Sequence, residues 1–126
     1  LYPEYVKRNL ADLARLRGSR EWKHWNETLW PYEALSDADA AWARFEAGAE
    51  RLGPQDRAFV GHWIGALRSL GQVDRQVTAD HPTAVAFTRE GKRSYVAYNL
   101  TRRPVKVRYS DGTTVSVGPG RCEVRR

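Results

Sequence analysis

The side chains best suited to chemistry in this 126-residue sequence are five tryptophans, three histidines and a scatter of carboxylates. Trp22, Trp25, Trp30, Trp42 and Trp63 all fall in the first half of the chain. An indole offers a flat apolar face and a polar N–H edge, the combination on which sugar-binding proteins stack a pyranose ring. Trp22, Trp25, Trp42 and Trp63 coincide with apolar helical stripes and are expected in the core. Trp30 lies off its stripe and is expected to reach a cleft, which makes it the first candidate substrate-binding residue. His62, beside Trp63, is the second, because its ring can hydrogen-bond a ligand; a satisfied structural histidine is the plainer alternative. His24 and His81 stand alone, His81 before Pro82 in a turn. With the single Cys122 these histidines build no metal-ligand spacing, and Cys122 has no partner for an internal disulfide. Neither a glycine-rich phosphate loop nor a Ser-His-Asp signature is present, so no cofactor and no metal is expected.

Among the acids, Glu27, Glu33 and Asp56 invite a test against glycoside hydrolysis. An inverting glycosidase needs two carboxyls roughly 6.5–9.5 Å apart across a cleft. Glu27 and Glu33 read more simply as solvated helix charges, and Asp56 in a first turn complements the positive helix end. No catalytic residue is assigned. Asn26-Glu27-Thr28 and Asn99-Leu100-Thr101 match the N-glycosylation pattern, a short signal that chance readily supplies.

The elements that must position these groups follow from periodicity. Val6, Leu10, Leu13 and Leu16 recur at helical spacing until Gly18 stops them. Trp22, Trp25, Leu29 and Tyr32 form the next stripe, with a bend or division expected near Trp30 because Pro31 lacks a backbone donor. Ser36 with Asp39 resembles a capped start for a helix carrying Trp42, Phe45, Ala49 and Leu52. Gly53-Pro54 ends that helix and opens a fourth, in which Phe59, Val60, Trp63, Ile64, Leu67 and Leu70 make the clearest amphipathic pattern. After Asp80-His81-Pro82 the period changes to 2. Val85 and Phe87, Tyr95 and Ala97, Val105, Val107 and Tyr109, then Val115 and Val117 read as strands. Asp111-Gly112 predicts a two-residue hairpin turn. The class is α+β: antiparallel helices over 1–72, then a connector and a C-terminal antiparallel β-meander over 73–126, packed on the helices.

Charge is uneven along this order. Residues 1–88 hold eleven Lys/Arg against twelve Asp/Glu, and residues 89–126 ten against three. A tail of +7 can attract polyanions by counterion release, though Lys and Arg also discourage edge pairing on a solvated sheet face. No apolar run approaches the ~18 residues of a membrane span. The chain starts at Leu1 and contains no methionine, so it is expected to be a processed product or a piece of a longer chain.

Three stretches taken together resemble one family. "YVKRNLADL" with "WNETLWPYEALSDADAA", "DRAFVGHWIGALRSLGQVD", and the long run from "VTADHPTAVAF" to "VRYSDGTTVSV" are similar to the C-terminal end of glycoside hydrolase family 81, the endo-β-1,3-glucanases. The resemblance implies that the helices are the last staves of an (α/α)6 barrel, with the sheet packed on its end. It implies a secreted parent enzyme that hydrolyses β-1,3-glucan with inversion. The family's catalytic acids belong to motifs upstream of the matched portion, so none transfers to this chain. The expected partners are a laminarin-like β-1,3-glucan, met through the parent enzyme, and the remainder of the parent chain. Gly61 and Gly65, flanking His62 and Trp63, could open space for a ligand. Two other classes stay open: a non-catalytic carbohydrate-binding or scaffold module, suggested by the aromatics, and a basic nucleic-acid-binding domain, suggested by the tail.

Overall fold

The computed structural model describes residues 2–18 and 24–126. Two compact units divide the chain, Leu1–Ser69 and Leu70–Arg126; the helices precede the strands.

The helical unit opens with α1 (Pro3–Arg17), which has proline in its first turn and ends at Gly18 with φ 68°. Helix α2 (Asn26–Ala34) runs unbroken through Pro31. The division expected near Trp30 does not occur. In so short a helix the proline deprives only the Glu27 carbonyl of its partner, and that residue is exposed in the first turn. The expected stretch around Trp22 lies outside the described residues. Helix α3 (Ala38–Gly48) is capped by Asp37, whose carboxylate accepts from the Ala40 N–H at 2.9 Å. Ser36, the expected cap, donates back to the Glu33 carbonyl at 3.0 Å instead, since a hydroxyl at the end of α2 finds a carbonyl three residues behind it. A 3-10 turn, Ala49–Arg51, and Gly53 then lead into α4 (Pro54–Leu70).

Trp30, Ala34, Ala41, Val60 and Ile64 form the helical core, with Trp42, Phe45, Leu52 and Leu67 packed against it. Glycines let the rings in. A methyl group on Gly48 would lie 2.9 Å from the Trp30 ring, one on Gly61 2.9 Å from Phe45, and one on Gly65 3.6 Å from Trp42. Trp30 meets Phe45 edge to face at 6.4 Å, and Trp42 meets it at 5.3 Å. Such pairs contribute roughly 0.5–1.5 kcal/mol each beyond the area they bury.

In the second unit β1 (Gln72–Val73), β2 (Ala84–Arg89), β3 (Lys92–Tyr98) and β6 (Cys122–Arg125) form an antiparallel sheet in that order. Strands β4 (Val105–Arg108) and β5 (Thr114–Val117) pair as a separate hairpin, after which β6 returns beside β3. The period of two sorts the side chains. Ala84, Ala86, Tyr95 and Ala97 share one sheet face and pack with Val105, Val107, Tyr109, Val115 and Val117 of the hairpin segment. Val85, Phe87 and Val96 take the other face.

The two hairpin turns differ from each other in kind. The β2–β3 turn holds both central residues at positive φ, Glu90 at 51° and Gly91 at 75°. At Asp111-Gly112 only the glycine does, at 89°. Gly112 N–H bonds the Tyr109 carbonyl at 3.0 Å and Tyr109 N–H bonds the Thr113 carbonyl at 2.8 Å, which makes a three-residue loop rather than the predicted two-residue one. The Asp111 carboxylate accepts from the Thr113 N–H at 3.0 Å and from the Tyr95 hydroxyl at 2.5 Å.

Asn99 closes the far end of the sheet. It is fully buried, and its amide donates to the Arg103 and Val117 carbonyls at 2.8 and 3.1 Å. Its side-chain oxygen accepts from the Thr101 N–H and hydroxyl, both at 2.8 Å. Among the described residues no helix is long and apolar enough to cross a membrane.

Candidate functional site

Helix α4 is apolar around most of its circumference. From Ala58 to Leu67, His62 is the one polar side chain. Val60 and Ile64 are completely buried, whereas Phe59 is 58% and Trp63 43% exposed, and His62 is also exposed. The Phe59 and Trp63 rings lie 6.2 Å apart at 35°. The Trp63 indole N–H donates to the Pro31 carbonyl at 3.3 Å, a bond that fixes the ring while leaving nearly half of it on the surface.

His62 therefore sits where a ligand can reach it, with Ala58 and Ala66 one turn away on either side. Trp30 does not. Its indole is 6% exposed and fills the gap over Gly48, so the expectation that it reaches a cleft is overturned. The buried stripe of α2 is Asn26, Trp30 and Ala34, one residue out of phase with the stripe read from Trp25, Leu29 and Tyr32. Trp25 is correspondingly outside, 62% exposed, with φ 72°. Trp42 is half-buried beneath the Arg68 guanidinium, 5.6 Å from its ring, and Trp22 lies outside the described residues. Core placement thus fails for Trp25 and Trp63. The glycines beside His62 do not open space for a ligand either, because Phe45 and Trp42 occupy it.

Among the described residues, Glu33 and Asp37 line a common cavity in the helical unit. A cavity of about 340 Å³ is lined by Lys7, Leu10, Glu33, Ser36, Asp37 and Arg44, among others. Glu33 is held by Arg44 at 2.9 Å and Asp37 caps α3, so neither is free to hand a proton to a glycosidic oxygen. Glu27 and Asp56 are exposed. Among the described residues no group of three or more His, Cys, Asp or Glu is placed to hold a metal ion.

Among the described residues a dense polar cluster lies in the β unit, and periodicity gave no sign of it. Arg93 on β3 reaches Asp74 at 2.7 Å and Asp111 at 3.6 Å. Asp74 also accepts from the Thr88 hydroxyl and the Gln76 N–H, each at 2.9 Å. The Arg93 hydrogen bond, with those from Gln76 and Thr88, holds the Asp74 carboxyl below the usual carboxylate range. The Tyr95 hydroxyl and Thr113 N–H do the same for Asp111, and the Arg108 N–H does it for Asp80. These acids stay ionised and bind β1, β3 and the hairpin together, which is structural work. They also draw Arg93 and Arg108 out of the basic tail's surplus. Both glycosylation patterns are closed, since Asn99 is fully buried and Asn26 is 5% exposed.

No protein-family model matches the chain. A glucan endo-1,3-beta-D-glucosidase of Thermobifida fusca is 41% identical over 107 residues, 82% of this chain and 14% of that protein. One from Acetivibrio thermocellus is 37% identical over 120 residues, 93% of this chain and 15% of that protein. A solved structure of glycoside hydrolase family 81 from Clostridium thermocellum, in a mutant form, matches 98% of this chain and 17% of its own. Its TM-score is 0.87 at 36% identity. The chain thus spans 14–15% of the length of the curated relatives it matches. Similarity of sequence and fold along nearly all of these residues, helices first and strands after, shows that the chain belongs to glycoside hydrolase family 81, as a C-terminal portion of that family's fold.

Proposed function

We propose that this chain is a non-catalytic part of an endo-β-1,3-glucanase, one that cleaves β-1,3-glucan with inversion using carboxylates supplied by other segments. The 41% identity to a relative named glucan endo-1,3-beta-D-glucosidase carries this reading. It is supported by the commitment of Glu33 to Arg44 and of Asp37 to the start of α3, which leaves their shared cavity without an acid and base pair. The chain supplies wall structure, and His62, exposed on α4 between two alanines, is its contact with the glucan groove. Secretion belongs to the same reading, because a polymer of this kind is met outside the cell.

The test replaces the matched stretch of the Thermobifida relative with this chain and follows laminarin hydrolysis. The chimera is expected to release reducing sugar and the chain alone to release none. His62→Ala in the chimera raises KM and leaves kcat unchanged, the signature of lost binding shared by ground and transition states. Loss of turnover in a folded Glu33→Gln or Asp37→Asn chimera would put catalytic acids in this stretch and overturn the assignment.

A carbohydrate-binding module is the second reading, favoured by the exposed rings of Phe59 and Trp63. Affinity electrophoresis of the chain in a β-1,3-glucan gel separates the two. Retardation abolished by Trp63→Ala supports a module; unaltered mobility supports the wall role.

A further inference from the structure

We infer that the basic end of the β unit, formed by Arg102, Arg103, Lys106 and Arg121, is a docking surface for a carboxylated polysaccharide. The inference goes beyond the glucanase reading above, which concerns a neutral glucan, and takes from it only that the partner is a sugar polymer. Asn99 brings the four residues together. Its buried amide donates to the Arg103 carbonyl at 2.8 Å and to the Val117 carbonyl at 3.1 Å, and its backbone N–H bonds the Arg121 carbonyl at 2.9 Å. The Thr101 hydroxyl holds the loop, accepting from the Arg103 N–H at 3.3 Å. Lys106 follows on β4, where Val105 is paired with Val117 and Val107 is turned into the core, so the lysine takes the outer face. All four residues are exposed.

Their charge is not spent inside the molecule. From Asn99 to Cys122 the sequence carries five Arg or Lys residues and one acid, Asp111. Asp111 is taken by Tyr95 and Arg93, and Arg108 by Asp80. Among the described residues no carboxylate pairs with Arg102, Arg103, Lys106 or Arg121. Glu123, two residues beyond Arg121, offsets one of the four charges. The surplus suits a polyanion, held by charge and by release of its counterions. Three of the four residues are arginines, whose planar fork meets a carboxylate with two parallel hydrogen bonds. Residues 99–106 and 118–121 carry no aromatic ring on which a nucleobase could stack, which favours a charged sugar polymer over a single-stranded nucleic acid. The loop after Asn99 is already fixed by its hydrogen bonds to Thr101 and Arg103, so docking orders little backbone.

Fluorescence anisotropy with a labelled oligogalacturonate tests the surface on the parent chain and two variants. One variant combines Arg102→Gln, Arg103→Gln and Arg121→Gln. The other removes the same charge elsewhere, by Arg8→Gln, Arg57→Gln and Lys92→Gln, all at exposed positions. None of these six side chains forms a hydrogen bond or ion pair among the described residues, so both variants keep the fold. The parent chain is expected to bind, and to lose about tenfold or more in affinity as salt rises from about 50 to about 200 mM. At the lower salt the first variant should bind about tenfold or more weakly, and the charge-matched variant within about threefold of the parent. Absence of binding by the parent chain overturns the proposal, as do equal losses in the two variants, which would reduce the effect to net charge. Tighter binding of a DNA duplex at equal concentrations of phosphate and carboxylate would give the surface to nucleic acid instead. The measurement is repeated on the Thermobifida chimera described above, where loss of the binding seen in the chain would show the surface covered in the enzyme and overturn its role. A chimera that binds the oligogalacturonate without hydrolysing laminarin defeats the glucanase reading alone, so the two failures are distinguishable.

Discussion

Asn99 is the residue whose removal the structure prices most clearly. Asn99→Ala deletes four side-chain hydrogen bonds from a site with no solvent access. At a net value of about 1 kcal/mol each, the upper figure is roughly 4 kcal/mol. The groups left behind are not equivalent. Thr101 is exposed and its N–H and hydroxyl regain water, and the Arg103 carbonyl keeps the Thr101 hydroxyl at 2.8 Å. The Val117 carbonyl, on a strand residue 1% exposed, loses the amide donor that reached it at 3.1 Å. A loss of about 3 kcal/mol is therefore expected, most of it from the lost amide bonds and the emptied volume, since the Val117 carbonyl still faces Val105 across the ladder. Asn99→Asp should cost more, about 3–5 kcal/mol, because a carboxylate would face two carbonyl oxygens with nothing to donate. Lowering the pH should return part of that loss as the carboxyl takes up a proton. Urea titration followed at the amide NMR signals of β3 and β5 measures both variants against the parent chain. A shift below about 1 kcal/mol for Asn99→Ala, or an Asp variant no weaker than the Ala variant, would refute the reasoning.

The β2–β3 turn holds Glu90 at φ 51°, a conformation that asparagine adopts with less strain, so Glu90→Asn should raise the unfolding free energy measured by urea titration by about 0.5–1 kcal/mol. Gly71→Ala should lower it by more than about 2 kcal/mol, because φ is 91° and the added methyl would sit 2.2 Å from the Thr88 carbonyl oxygen. Asp74, Asp80 and Asp111 have carboxyl groups held below their ordinary range, so their contribution is complete above about pH 4. It is lost as the pH falls through the lowered folded-state values. A urea midpoint measured from pH 7 to pH 2 should drop in that acid window, and Arg93→Met should flatten the drop. Expressed through a glycosylating secretory pathway, the chain should keep an unmodified mass at Asn26 and Asn99, since neither side chain is open to a transferase in the folded state.

Helix positions and the change of period at the start of the sheet could be read from spacing, because a stripe every three or four residues survives any neighbour. What spacing leaves open is how much of a stripe is covered. Leu16 continues the α1 pattern and is 77% exposed, while Val6 on the same stripe is completely buried. Phase is equally fragile. Counting from Trp22 across Pro31 sets the α2 stripe one residue away from its true place, and that single step exchanges Trp30 for Trp25 as the interior ring. On α4 the rows Val60–Ile64 and Phe59–Trp63 have the same spacing and similar side chains, so their packing partners decide which row is inside. The Arg93 cluster joins residues far apart in the chain, and a pattern of local spacing carries no trace of it. His62 is the exception among the candidates: its exposed position follows from lying opposite the Val60–Ile64 row, which the pattern did contain.

The glycines at 48 and 61 have a consequence for how this stretch can change. Each leaves room for one ring, so the ring and its gap form a lock that neither member can leave singly. Enlarging Gly61 to alanine demands a smaller residue at Phe45, and shrinking Trp30 leaves a hollow that only a larger residue at Gly48 can fill. Viable drift through the helical unit should therefore proceed by paired exchanges across α3, and a library that varies one partner alone will recover few of them.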